Sequence, residues 1–191
     1  MYKTILFLLL FTISIYANNK NIYLKSVVEG NMVNVYLYNN SLHDITLKYS
    51  ATIKNLIPLK EIPFTKSFSS NSKIKICEFY IKNKKFSYKA KYNWVVGNKH
   101  AKHNNNYIYR LPYELNTKQQ ITQGFNGTFS HKNNSQYAID FGLKEKTKIY
   151  ASRNGLIVKL KENSNLGGNN KKYLPHGNYI TIKHNDNTYA K

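Results

Sequence analysis

From Phe86 to Val96 every second residue is apolar: Phe86, Tyr88, Ala90, Tyr92, Trp94 and Val96 are set against Ser87, Lys89, Lys91 and Asn93. A helix would scatter those six side chains around its circumference, whereas an extended strand sends successive residues to opposite faces. The stretch therefore requires a strand with one dry face and one wet face, paired within an antiparallel sheet. The same alternation recurs at Val33, Val35 and Leu37, and again at Ile45, Leu47, Tyr49 and Ala51. Turn-rich pieces such as Asn39-Asn40-Ser41 and Ser69-Ser70-Asn71-Ser72 separate the runs. Helical periodicity is hard to find. The expected class is all-β, opening with a β-sandwich over residues 18–97.

The residues before that sandwich read differently. Met1-Tyr2-Lys3 gives a short positive start, residues 5–13 are apolar apart from Thr12, and Ala17 precedes the polar Asn18-Asn19-Lys20. This order is that of a secretory signal peptide over residues 1–17. The apolar run falls short of the ~20 residues that a bilayer span needs. Export, to a periplasm or beyond the cell, is the expectation. A lone Cys77 offers no internal disulfide, and its place in the run Ile74-Lys75-Ile76-Cys77-Glu78-Phe79 suits a small buried apolar residue.

The formal net charge is +20, from 29 basic against 9 acidic residues. Only Arg110 and Arg153 are arginine; every other basic residue is lysine. Bidentate reading of phosphates or guanine edges favours arginine, so no specific nucleic-acid partner is expected. Lysines on the wet faces of strands instead attract polyanions loosely, and an exported cation meets the anionic polymers of a cell envelope first.

Residues 98–108 are polar and read as a linker. A second β region, residues 109–191, follows as a partial antiparallel sheet. Within it Lys148-Ile149-Tyr150-Ala151 and Leu156-Ile157-Val158-Lys159-Leu160 flank the turn signal Asn154-Gly155, predicting a hairpin. Tyr179-Ile180-Thr181-Ile182-Lys183 reads as a strand, the turn His184-Asn185-Asp186-Asn187 follows, and Thr188-Tyr189-Ala190 opens another.

The chemistry-bearing residues of this region are His131 and Asp140. Asp140 is one of only three aspartates in the chain, and it ends the apolar run Tyr137-Ala138-Ile139. A histidine and an aspartate brought together at a sheet edge can ligate zinc, act as an acid–base pair, or form a structural hydrogen bond. Nine residues of separation do not by themselves choose among these.

The surroundings carry more. Gln123-Gly124-Phe125-Asn126-Gly127-Thr128-Phe129-Ser130-His131, then Tyr137-Ala138-Ile139-Asp140-Phe141, then the segment from Lys146 through Asn154-Gly155 to Val158 closely resembles the opening half of the lysostaphin/LytM-type zinc peptidases, metallopeptidase family twenty-three. Gly177-Asn178-Tyr179-Ile180-Thr181-Ile182-Lys183-His184 looks like that family's next hairpin. The resemblance spans about residues 109–191 and rests on landmarks recurring in order. It implies zinc ligated by His131 and Asp140, and hydrolysis of peptidoglycan peptide cross-links at the cell wall.

Two departures qualify it. The commonest family pattern, H-x-x-x-D, places Gln136 where the histidine stands, and glutamine is a poor zinc ligand. A branch with Ser-His further upstream is the closer likeness, which puts the imidazole at His131. The family also has a Tyr-x-His-Leu hairpin and a later His-x-His segment, supplying the third ligand and the catalytic histidines. Neither occurs in these 191 residues, so the peptidase domain is expected to be incomplete at its C-terminal side and the catalytic residues stay unassigned. Catalytic zinc keeps three protein ligands and an open fourth position, so a two-ligand site implies little hydrolysis. The alternative is a non-catalytic relative that binds cell wall or activates a hydrolase. His43, His100, His103, His176 and His184 are each expected at the surface rather than as ligands.

Overall fold

The computed structural model describes residues 21–191 apart from residue 169; the expected signal peptide lies outside them. Seven strands build the N-terminal half: β1 (Ile22–Glu29), β2 (Met32–Asn39), β3 (Ile45–Lys54), β4 (Leu56–Pro58), β5 (Phe64–Phe68), β6 (Ser72–Ile81) and β7 (Ser87–Val96). They form two antiparallel sheets, ordered β1-β2-β6-β4 and β5-β3-β7. The alternation dictates which faces meet. Val33, Val35 and Leu37 of β2 and Ile45, Leu47 and Tyr49 of β3 are all buried in one core cluster with Ile76, Cys77 and Phe79 of β6. Tyr88, Ala90, Tyr92 and Trp94 of β7 pack against that cluster while the residues between them face solvent. The chain is all-β, as its patterning requires.

One detail departs from strict alternation. Ile76 and Cys77 are adjacent yet both buried, because the β2–β6 register shifts between Val35 and Tyr36. A bulge of this kind puts one extra residue into a strand and exchanges its faces beyond that point.

The rim of the sandwich is polar and buried. Asn39 donates through Nδ2 to the carbonyls of His43 (3.0 Å) and Ser69 (2.8 Å), and its Oδ1 accepts from the Ser41 hydroxyl at 2.6 Å. His43, 4% exposed, lies against Ser41 and Trp94. Burial pushes its pKa below the ordinary 6.5, helped by the nearby Lys159 and opposed by the Asp44 backbone and carboxylate. An unfolded chain therefore takes up a proton near pH 6.5 that the folded chain resists. Stability from this group is full above about pH 6.5 and falls as pH drops toward the lowered folded value. His43→Gln should flatten the stability–pH curve in that window, as measured by urea midpoints; identical slopes in both proteins would contradict this assignment.

The C-terminal half has two small antiparallel sheets. The first pairs β8 (Gln120–Gln123) with β9 (Asp140–Gly142); the second orders β10 (Leu156–Lys161), β11 (Tyr179–Lys183) and β12 (Tyr189–Ala190). The expected hairpin across Asn154-Gly155 does not form. Residues 148–151 carry no strand; instead Tyr150 N donates to Pro112 O (3.0 Å) and Arg110 N to Ser152 O (3.1 Å). The alternation there is too short to distinguish a strand from a segment laid along a neighbouring coil, and β10 takes β11 as its partner instead. After residue 100 only Tyr113 and Val158 are buried hydrophobics among the described residues, and most exposed large hydrophobics fall between Ile108 and Ile180. No described helix is long and apolar enough to cross a membrane.

The two halves are joined by one ion pair and a hydrogen bond beside it, with a second ion pair at the edge of residues 98–108. Lys183 Nζ meets Asp44 Oδ2 at 3.1 Å, and Asp44 N donates to the Tyr189 hydroxyl at 3.0 Å. Arg153 pairs with Asp186 at 2.7 Å while its guanidinium lies over the Tyr107 ring, 4.4 Å from the centroid. The Thr188 hydroxyl and Arg153 hold the Asp186 carboxyl well below the usual carboxylate range. Asp186 also accepts from Asn104 N at 3.2 Å, so residues 98–108 are tied down at this point.

Candidate metal centre

The site begins with a tight turn. Gly127 N donates to Gly124 O at 3.2 Å, and Asn126, in the turn's third position, takes the left-handed φ of 58° that asparagine tolerates. The turn leaves the Gly124 carbonyl facing inward. His131, 3% exposed, is anchored through its own N–H to Gly127 O at 3.1 Å. Its ring Nδ1 lies 2.7 Å from Gly124 O, and its Nε2 lies 3.0 Å from Asp140 Oδ1. Nine residues of loop thus bring the two side chains into direct contact.

Asp140 stands at the start of β9 with its side chain 49% exposed. One member of the pair is buried and the other faces solvent, so the centre opens on the aspartate side. Phe125 and Tyr137 meet edge to face at 5.7 Å, both well exposed, on the segments that flank the two residues.

The ring has an acceptor at each nitrogen. A carbonyl oxygen and a carboxylate oxygen only accept hydrogen bonds, yet a neutral imidazole has one N–H. Nδ1 faces Gly124 O at 2.7 Å and Nε2 faces Asp140 Oδ1 at 3.0 Å, so whichever nitrogen carries the N–H of the neutral ring, the other also faces an acceptor. Imidazole nitrogen and carboxylate oxygen are both zinc donors, and a ligating histidine commonly gives its other N–H to a backbone carbonyl. The two residues are of zinc-ligating type, one fewer than the three protein ligands of a catalytic zinc site.

The remaining histidines are elsewhere. His100, His103 and His176 are exposed, as expected. His103 stacks on Tyr109 and reaches its hydroxyl at 2.7 Å, so it is held in the Arg153 cluster. His43 and His184 are not surface residues: each is 4% exposed. His184 Nδ1 lies 2.8 Å from Asn154 O, and its buried Nε2 has no partner among the described residues. A histidine opening a polar turn reads as exposed from sequence; here the ring lies against the Asn154–Gly155 backbone, close enough that a Cβ on Gly155 would come within 3.1 Å of Nδ1. Gln136 contributes its backbone, whose carbonyl accepts from Asn126 N at 2.7 Å. Among the described residues no group of three or more His, Cys, Asp or Glu side chains could hold a metal.

Sequence reasoning gave no role to Gln123. It is the residue most connected to the centre: Nε2 donates to Asp140 Oδ2 at 3.0 Å and to the Ser130 hydroxyl at 2.8 Å, while Oε1 accepts from Phe129 N at 3.1 Å and Ser130 N at 3.4 Å. The available signal was Gly127, which a close-lying side chain would require to be small.

Comparison with family models, curated proteins and solved structures returns no match.

Proposed function

We propose that this chain is an exported zinc-dependent protein of the lysostaphin/LytM type, carrying the His131–Asp140 half of a metalloendopeptidase centre directed at peptidoglycan peptide cross-links. The observation that carries this reading is the buried imidazole with hydrogen-bond acceptors at both nitrogens, one of them a half-exposed carboxylate. Zinc held by His131 and Asp140 would supply Lewis-acid chemistry for peptide hydrolysis. The chain's own part is orientation: the Gly124 carbonyl faces the ring, and Asp140 is open to solvent. The +20 charge supports loose attraction to anionic envelope polymers around the substrate. With two ligands and no third among the described residues, these 191 residues hold zinc weakly and hydrolyse little or nothing.

That same absence of a three-residue cluster favours one other reading, a non-catalytic relative that binds cell wall or activates a hydrolase. Both readings place zinc, where it binds, on the same pair. Equilibrium zinc titration against a competing chelator tests this. Wild-type protein should bind more tightly than His131→Ala and Asp140→Ala, by more than the roughly 10–100-fold that outer-shell partners typically contribute. Equal affinity in all three would remove the pair from any metal site. Release of soluble fragments from purified peptidoglycan by the zinc-loaded 191-residue chain would contradict the expected inactivity.

A further inference from the structure

The Gln123 amide can be oriented in only one way. Backbone N–H groups only donate, so the atom facing Phe129 N and Ser130 N is Oε1, and Nε2 necessarily faces Asp140 Oδ2 and the Ser130 hydroxyl. Asp140 thereby has its two oxygens assigned to different partners: Oδ2 to Gln123 and Oδ1 to His131. A single amide also spans the loop that carries His131 and the strand that carries Asp140.

Two features of the backbone make room for this. The β8–β9 register shifts between Ile121 and Gln123, which brings Gln123 opposite Asp140. Such a bulge re-aims a side chain at the end of a strand. Gly127 then supplies the space: a Cβ there would lie 2.5 Å from Gln123 Cδ and 2.8 Å from its Oε1, closer than real contacts allow. The Thr122 hydroxyl donates to Asp140 O at 3.3 Å and steadies the backbone on the same side.

We propose that Gln123 is a positioning residue that fixes Asp140 as a one-oxygen ligand, reserving Oδ1 for the cation shared with His131. This rests on the zinc reading above. Losing the amide frees Asp140 to rotate and releases the 129–130 loop from the strand. Gly127→Ala has the same consequence by displacing Gln123, without touching either ligand.

The test is zinc affinity by chelator competition for wild type, Gln123→Ala, Gly127→Ala and the double variant, with His131→Ala alongside. Gln123→Ala should weaken binding about 10–100-fold, the range typical of outer-shell partners. Gly127→Ala should match it, and the double variant should be no weaker than Gln123→Ala alone. Metal-free NMR spectra of Gln123→Ala should keep the sandwich resonances in place, since that core lies in residues 22–94. Wild-type affinity in Gln123→Ala, with His131→Ala impaired, overturns the positioning role and leaves the zinc site standing. Additive losses in the double variant also overturn it, because loop packing would then act independently of the amide. Equal affinity in wild type and His131→Ala removes both the zinc site and this role.

Discussion

Phe79→Ala is expected to destabilise the protein by about 3–5 kcal/mol, the usual cost of deleting a fully buried aromatic ring. Phe79 is 0% exposed on β6, and its ring meets Tyr88 of the facing sheet, 5.4 Å between centroids. Tyr88 in turn shares a 3.0 Å hydrogen bond with the hydroxyl of Tyr49, which is also 0% exposed. Burial pushes the Tyr88 phenol up to about 12 and the Tyr49 phenol further, so both stay neutral over the working pH range. Removing the Phe79 ring opens a cavity between the sheets and loosens the Tyr88 ring, whose hydroxyl is bonded to Tyr49 within the facing sheet. Against a total stability of about 5–15 kcal/mol for ordinary domains, that loss takes a large share. Urea denaturation should show a much lower midpoint with an unchanged slope. A midpoint near that of wild type would mean that the sheets do not close over Phe79.

Gly155→Ala should disrupt the three-stranded sheet while leaving the sandwich intact. A Cβ at this position would press on the Lys183 carbonyl, lie 2.5 Å from Ile182 Cγ2 and 3.1 Å from His184 Nδ1. The first obstacle is backbone and cannot rotate away, so β11 must shift from β10. Overpacking of this kind costs about 1–3 kcal/mol, occasionally more. Here the displaced residues include Lys183, which pairs with Asp44, and His184, which is bonded to Asn154 O. The junction between the halves should loosen with the sheet. Amide hydrogen exchange should speed up in residues 156–161 and 179–190 and stay unchanged in β2, β3 and β6. Unchanged protection in β10 and β11 would contradict the predicted clash.

The legible part of the fold is where alternation is long. β7 could be drawn from its own residues because one strand face packs on the core and the other is wet along its whole length. Residues 148–151 alternate too briefly, and their neighbours turn out to be coil at 110–112 rather than the strand after Asn154-Gly155. The Ile76–Cys77 bulge left a trace in two adjacent apolar residues, but its consequence depends on the partner strand's register. At the site, residue type and motif order singled out His131 and Asp140, and the structure brings them within 3.0 Å. Gln123 stayed hidden because its role lies in side-chain hydrogen bonds across a loop. His184 stayed hidden because its ring packs on the backbone at Asn154 and Gly155, some thirty residues away in sequence.

The most direct test of the central claim is long-range proton–nitrogen NMR of the six histidine rings during zinc addition. His131 Nε2 should shift to a metal-bound position and its Nδ1 should carry the proton facing Gly124 O, with the other five rings unchanged. Zinc-dependent shifts at His100, His103 or His176 with His131 unmoved would contradict it.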